Sequence, residues 1–95
     1  MNILTEGQEF ELKTALEGKS LIVRFVGRDE LGNLVDGITN EELVDMQIER
    51  FYALQKRNPC AENKVVILLL KNIRSVLKKR QIRKFNQVND SDNDK

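Results

Sequence analysis

The spacing of apolar residues changes character near residue 38. From there on they recur at intervals of three and four: Leu43, Val44, Ile48, Phe51 and Leu54, then Val66, Leu69, Leu70, Ile73 and Leu77. That spacing lines each set along one stripe of an α-helix. The first helix has a marked start. Thr39 stands where a capping hydroxyl is needed, Glu42 follows three residues later as in a capping box, and Ile38 and Leu43 suit the accompanying hydrophobic staple. The pattern predicts a helix from here to about Lys56, stopped by Asn58-Pro59, because the residue before a proline avoids helical geometry. A second helix restarts around Ala61 or Glu62, with the Glu62 carboxylate favoured near the positive helix end. Two such helices joined by a short link form an antiparallel hairpin, expected over residues 38–86.

Upstream the chemistry is that of strands and turns. Ser20-Leu21-Ile22-Val23-Arg24-Phe25-Val26 is β-branched and aromatic, and the turn-forming stretch Gly27–Asn33 leads to Leu34-Val35, which predicts a β-hairpin. Phe10, Leu12 and Leu16 fit either a strand followed by a turn or a short amphipathic helix, with a strand over Glu9–Lys13 preferred. Residues 1–37 are therefore expected to be a small antiparallel β unit, and the fold class α+β. Residues 87–95 are nearly free of apolar side chains and end in Asp90-Ser91-Asp92-Asn93-Asp94, the composition of a disordered acidic tail.

Val65–Leu70 is apolar at six consecutive positions, hence around the whole helix circumference. One neighbouring helix covers one side only. Other copies of the chain are expected to cover the rest, which makes a homo-oligomer; the alternative is that the N-terminal region folds over the run.

Composition narrows the chemistry by exclusion. The chain has no histidine, so the usual general base and the commonest transition-metal ligand are both missing. It has no Gly-rich phosphate loop of the Walker or Rossmann type. Glu41 and Glu42 are accounted for by their place at a helix start, and Cys60, following a proline, lacks a partner base and reads as an incidental thiol. These absences predict a binding protein and no enzyme, cofactor or metal site. A single cysteine allows no internal disulfide, Met1 to Glu6 carries no signal-peptide pattern, and no apolar run is long enough to span a bilayer, so a cytoplasmic location is expected.

Charge is balanced overall, with 16 Lys and Arg against 15 Asp and Glu, but it is not evenly distributed. From Asn63 to Asn89 there is no acidic residue, while Lys64, Lys71, Arg74, Lys78, Lys79, Arg80, Arg83 and Lys84 all fall there. The cluster from Lys78 to Lys84 offers charge-assisted donors suited to phosphate. Two other readings stand beside it. Basic residues in the last turns of a helix stabilise its negative end, and a basic helix can follow a nucleic-acid backbone, although the near-zero net charge and acidic tail count against the latter.

The segment from Gly37 to Lys84 resembles the helical-hairpin domain shared by phage sponge proteins that counter CBASS and Thoeris bacterial immunity. The resemblance rests on Gly37-Ile38-Thr39-Asn40-Glu41-Glu42-Leu43, on Ile48-x-Arg50, on Pro59-Cys60-x-Glu62-Asn63, and on Arg80 seventeen residues after Asn63. The family follows that arginine with a threonine and places another arginine four positions on; here Gln81 and Lys84 stand there, and the family's glycine-containing tail is missing. The resemblance covers about half the chain. It implies a homo-oligomer, from dimer to hexamer, that sequesters cyclic nucleotide immune messengers in the host bacterial cytoplasm without cleaving them. By position it makes Asn63, Arg80 and Lys84 ligand contacts, with Phe51 or Tyr52 as an aromatic for base stacking and Arg28 on the β unit. Asn63 serves equally well as a helix-capping residue beside Glu62. A reading from a different class is an accessory protein that binds a protein or nucleic-acid partner through the basic end of helix 2.

Geometry adds a constraint. Asn63 and Arg80 on one helix lie about 25 Å apart at 1.5 Å per residue, so one small ligand cannot touch both within a single chain. If both hold the same nucleotide, helix 2 of one copy must run antiparallel to helix 2 of another, which would also bury the all-round apolar run.

Overall fold

The computed structural model describes residues 1–93, and side chains as far as Gln87. The chain is α+β: a small antiparallel sheet, a short β ladder and then two helices, divided into one unit over Met1–Asn40 and a second from Glu41 onward.

In the first unit, β1 (Asn2–Thr5), β2 (Glu9–Lys13) and β3 (Ser20–Arg24) form a meander in the order β1-β2-β3. Its register sorts the side chains by face. Ile3 lies opposite Phe10, Phe10 opposite Val23, and Leu12 opposite Leu21, so one face is apolar, with the Phe25 ring edge-on to Phe10 at 6.0 Å. The other face is a polar network. Arg24 donates from Nε and Nη2 to Glu9, whose second oxygen accepts from Thr5 Oγ1, while Asn2 Nδ2 and Ser20 Oγ donate to the two oxygens of Glu11. Glu9 is held below the usual carboxylate range chiefly by its hydrogen bond from Arg24, and Glu11 by its hydrogen bond from Asn2. β1 is an addition to the predicted elements, and the strand expected over Glu9–Lys13 is present.

The expected hairpin between Ser20–Val26 and Leu34-Val35 forms differently. The ladder from β2 ends at Arg24, and Leu34–Val35 (β5) pairs instead with Gly27–Arg28 (β4). The displacement has a backbone cause. Arg24 O accepts from Ile38 N at 2.9 Å and Ile38 O from Val26 N at 2.9 Å, so the segment entering the first helix takes the edge of the sheet that β5 was expected to occupy. Gly37 permits this: a Cβ there would lie 2.5 Å from the carbonyl carbon of Phe25. The β4–β5 loop is closed by Asp29, whose Oδ1 accepts from Leu31 N and Asn33 N, with Gly32 at φ 81°.

In the second unit, α1 spans Asn40–Arg57 and α2 spans Ala61–Asn93. Thr39 thus stands at the cap position, and neither it nor Glu42 lacks a partner. Arg74 meets Asp45 at 3.5 Å, and the Lys71 ammonium lies 5.2 Å from the centre of the Tyr52 ring. Going forward along α1 from Asp45 to Tyr52, the partners go backward along α2, so the helices are antiparallel. Val44, Ile48 and Ile67 are the buried apolar residues among those described, and all three belong to this pair.

Two expectations about α2 are corrected. Its stripe facing α1 consists of Val66, Ile67, Leu70 and Leu77, whereas Leu69 and Ile73 are exposed at 54% and 47%, because a narrow contact with one helix covers about a third of the circumference. Its end also differs. The acidic tail expected over residues 87–95 is helical as far as Asn93, since no proline or glycine interrupts the chain after Pro59; residues 94 and 95 lie outside the described residues.

Candidate ligand-binding site

The proposed ligand contacts are distributed along the helical unit and beyond it. Asn63 sits in the first turn of α2, half-buried, and its Nδ2 donates to the carbonyl of Asn58 at 3.4 Å across the interhelical turn. That bond ties the α1–α2 link together, and the Cys60 amide donates to Gln55 Oε1 at 3.0 Å in the same turn. This is not the helix cap read for Asn63, in which the side-chain oxygen would accept a backbone N–H: Asn63 is the third residue of α2, one of its two amide donors bonds a loop carbonyl, and its oxygen remains an acceptor.

Arg80 and Lys84 are brought together. They are one turn apart on α2, both exposed, with Lys79 and Arg83 beside them. Because α2 continues to Asn93, this cluster lies in the interior of the helix and not in its last turn, which holds no basic residue. The helix dipole acts over the final turn, so it does not account for these four charges or for Lys78 before them. Lys79 with Arg83 and Arg80 with Lys84 are like-charged pairs at a spacing of four, a mutual repulsion that a bound anion would relieve.

Tyr52 and Phe51 are consecutive on α1 and point to different sides of it. Phe51 is half-buried; Tyr52 is 41% exposed and already carries Lys71 over one face of its ring. Lys71 was not among the residues singled out by spacing, since its pairing with Tyr52 crosses from one helix to the other. Arg28 belongs to the first unit, where its Nη1 donates to the Gly32 carbonyl at 3.2 Å and braces the β4–β5 loop. Within one chain, the structure gathers Arg80 with Lys84 and leaves Asn63 seventeen residues away on the same helix.

Among the described residues there is no group of three or more acidic or cysteine side chains placed to hold a metal ion, and no helix long and apolar enough to cross a membrane. The exposed surface of α2 includes an open apolar groove of about 430 Å³ lined by Leu69, Asn72, Ile73, Val76 and Leu77. Comparison with known protein-family models, with curated proteins and with solved structures found no match to this chain.

Proposed function

We propose that this chain is a non-enzymatic sponge: a homo-oligomer that captures cyclic nucleotide messengers of antiphage signalling and withholds them from their receptors. The observation that carries the reading is the acid-free cationic cluster from Lys78 to Lys84 in the interior of α2, where neither helix-end stabilisation nor a salt bridge among the described residues explains it. The motif resemblance from Gly37 to Lys84 supplies the ligand class. Arg80 offers a bidentate fork and Lys84 a point charge for phosphate, and Asn63 of a second copy offers amide contacts. Tyr52 keeps one open ring face, but its partner Lys71 is nine residues, two and a half turns, from Arg80, so a base stacked there lies on the other side of α2 from the Arg80–Lys84 pair.

Such a protein acts by mass action, so it must match its messenger in amount and bind it tightly. Titration calorimetry against cyclic dinucleotides, cyclic trinucleotides and cyclic ADP-ribose isomers tests this. The expected result is saturable heat with one of these classes and recovery of the ligand intact, and Arg80→Ala/Lys84→Ala lowers the affinity at least about tenfold. No heat with any of them overturns the sponge reading. Salt separates it from nucleic-acid binding, whose affinity for DNA or RNA falls by orders of magnitude between low and moderate salt, while a partly enclosed messenger site with stacking and amide contacts loses less.

A further inference from the structure

The exposed side of α2 has an order that one chain alone does not use. Val65, Leu69, Ile73 and Val76 lie at intervals of four, four and three, so they share a stripe of the helix, and they are exposed at 54%, 54%, 47% and 62%. The apolar groove contains the last three residues of this stripe, Leu69, Ile73 and Val76. Its two ends are charged and opposite in sign. Glu62 precedes Val65 and Arg80 follows Val76; they are eighteen residues apart, about five whole turns, which places both on the line of the stripe. Both are exposed, and neither makes a salt bridge among the described residues.

From this we infer that the stripe is a self-complementary interface in which α2 of one copy packs antiparallel on α2 of a second, Glu62 of each lying beside Arg80 of the other. The proposal rests on the oligomer required by the sponge reading and adds its face, its direction and its register. Direction follows from charge. A parallel pair would set Glu62 against Glu62 and Arg80 against Arg80, whereas an antiparallel pair sets opposite charges together at both ends, as twofold symmetry requires of an isologous contact. Two independent features agree on the register. Pairing Glu62 with Arg80 puts the symmetry axis at residue 71, and the four apolar residues of the stripe are centred within one residue of that position.

The pairing also explains how Arg80 can serve two contacts. Its guanidinium carries five N–H donors, of which a carboxylate takes two, and the remainder are left for an anion beside Asn63 of the partner subunit.

Charge reversal tests the inference in the absence of any nucleotide. Sedimentation velocity on the full chain should show that Glu62→Arg and Arg80→Glu, each alone, weaken self-association at least about tenfold, since each makes two like-charged contacts. The double variant should restore association, and an equimolar mixture of the two single variants should associate, an outcome that also demonstrates that both remain folded. Unweakened association in the single variants, or no recovery in either the double variant or the mixture, overturns the proposed register. Association that is weakened and restored in this way, together with no calorimetric response of the unmodified chain to any cyclic nucleotide, keeps the interface and removes the sponge.

Discussion

At the scale of single residues, Gly37 shows what a backbone contact demands of a sequence. Its α-carbon lies so close to the Arg24–Phe25 peptide that an added methyl would sit 2.6 Å from the Arg24 carbonyl oxygen. The neighbour is backbone and cannot swing away as a side chain would. Gly37→Ala is therefore expected to break the Ile38 bridge and destabilise the first unit by about 1–3 kcal/mol, read as a lower midpoint in thermal or urea unfolding. An unchanged midpoint would mean that the bridge contributes little. The motif that includes Gly37 was visible in the sequence; the steric reason for a glycine was not, because Phe25 and Gly37 are neighbours only after the sheet forms.

Glu9 and Glu11 give the first unit its response to acid. Both carboxyls bind protons less readily folded than unfolded, so what they contribute to stability is present above the ordinary value of 4.5 and is lost as the pH falls below it. Amide hydrogen exchange in β2 and β3 is expected to accelerate relative to the intrinsic rate as the solution is taken from pH 6 to below about 4.5. In Glu9→Gln/Glu11→Gln that dependence should flatten. An equally steep dependence in the variant would place the acid sensitivity elsewhere.

At the scale of elements, the helices were legible and the strand pairings were not. Capping chemistry at Thr39 and the break at Asn58-Pro59 gave α1 and the start of α2 to within a residue or two, since these signals are local. The end of α2 had no such signal, and polarity after Phe85 was a poor guide to where a helix stops. Strand partners depend on contacts distant in sequence: β3 continues to look like a strand through Val26, yet its ladder ends where Ile38 bonds to Arg24 and Val26. The same holds for the candidate site. Arg80 and Lys84 are adjacent by spacing alone, while the pairing of Lys71 with Tyr52 crosses between helices and left no trace in either segment.

The hairpin depends on few buried side chains. Ile48 is 2% exposed and, with Val44 and Ile67, belongs to the buried set described. Truncation to alanine removes most of its contacts and leaves a cavity between the helices, so Ile48→Ala is expected to cost about 2–5 kcal/mol. Loss of helical signal at a markedly lower temperature would show it; a shift of a degree or two would contradict the placement of the core. Leu69→Ala, by contrast, should leave the isolated hairpin nearly unaffected and weaken self-association, because Leu69 is exposed in the single chain and lies on the stripe proposed to meet a second copy.

At the scale of the whole molecule, two features of α2 converge. Its cationic cluster lies in the helix interior, and its uncovered apolar stripe ends in charges of opposite sign. The proposed antiparallel pair covers the stripe, sets Arg80 against the partner's Glu62, and brings Asn63 of one chain toward Arg80 and Lys84 of the other. Under the proposed function, capture of a small anionic messenger would depend on assembly, since residues about 25 Å apart in one chain converge only between two.

The mass of the protein in solution tests that dependence most directly. Sedimentation equilibrium of the full chain at micromolar concentration, without ligand, should return an integral multiple of 11.0 kDa, two copies or more. A mass of one chain across that concentration range would contradict the account.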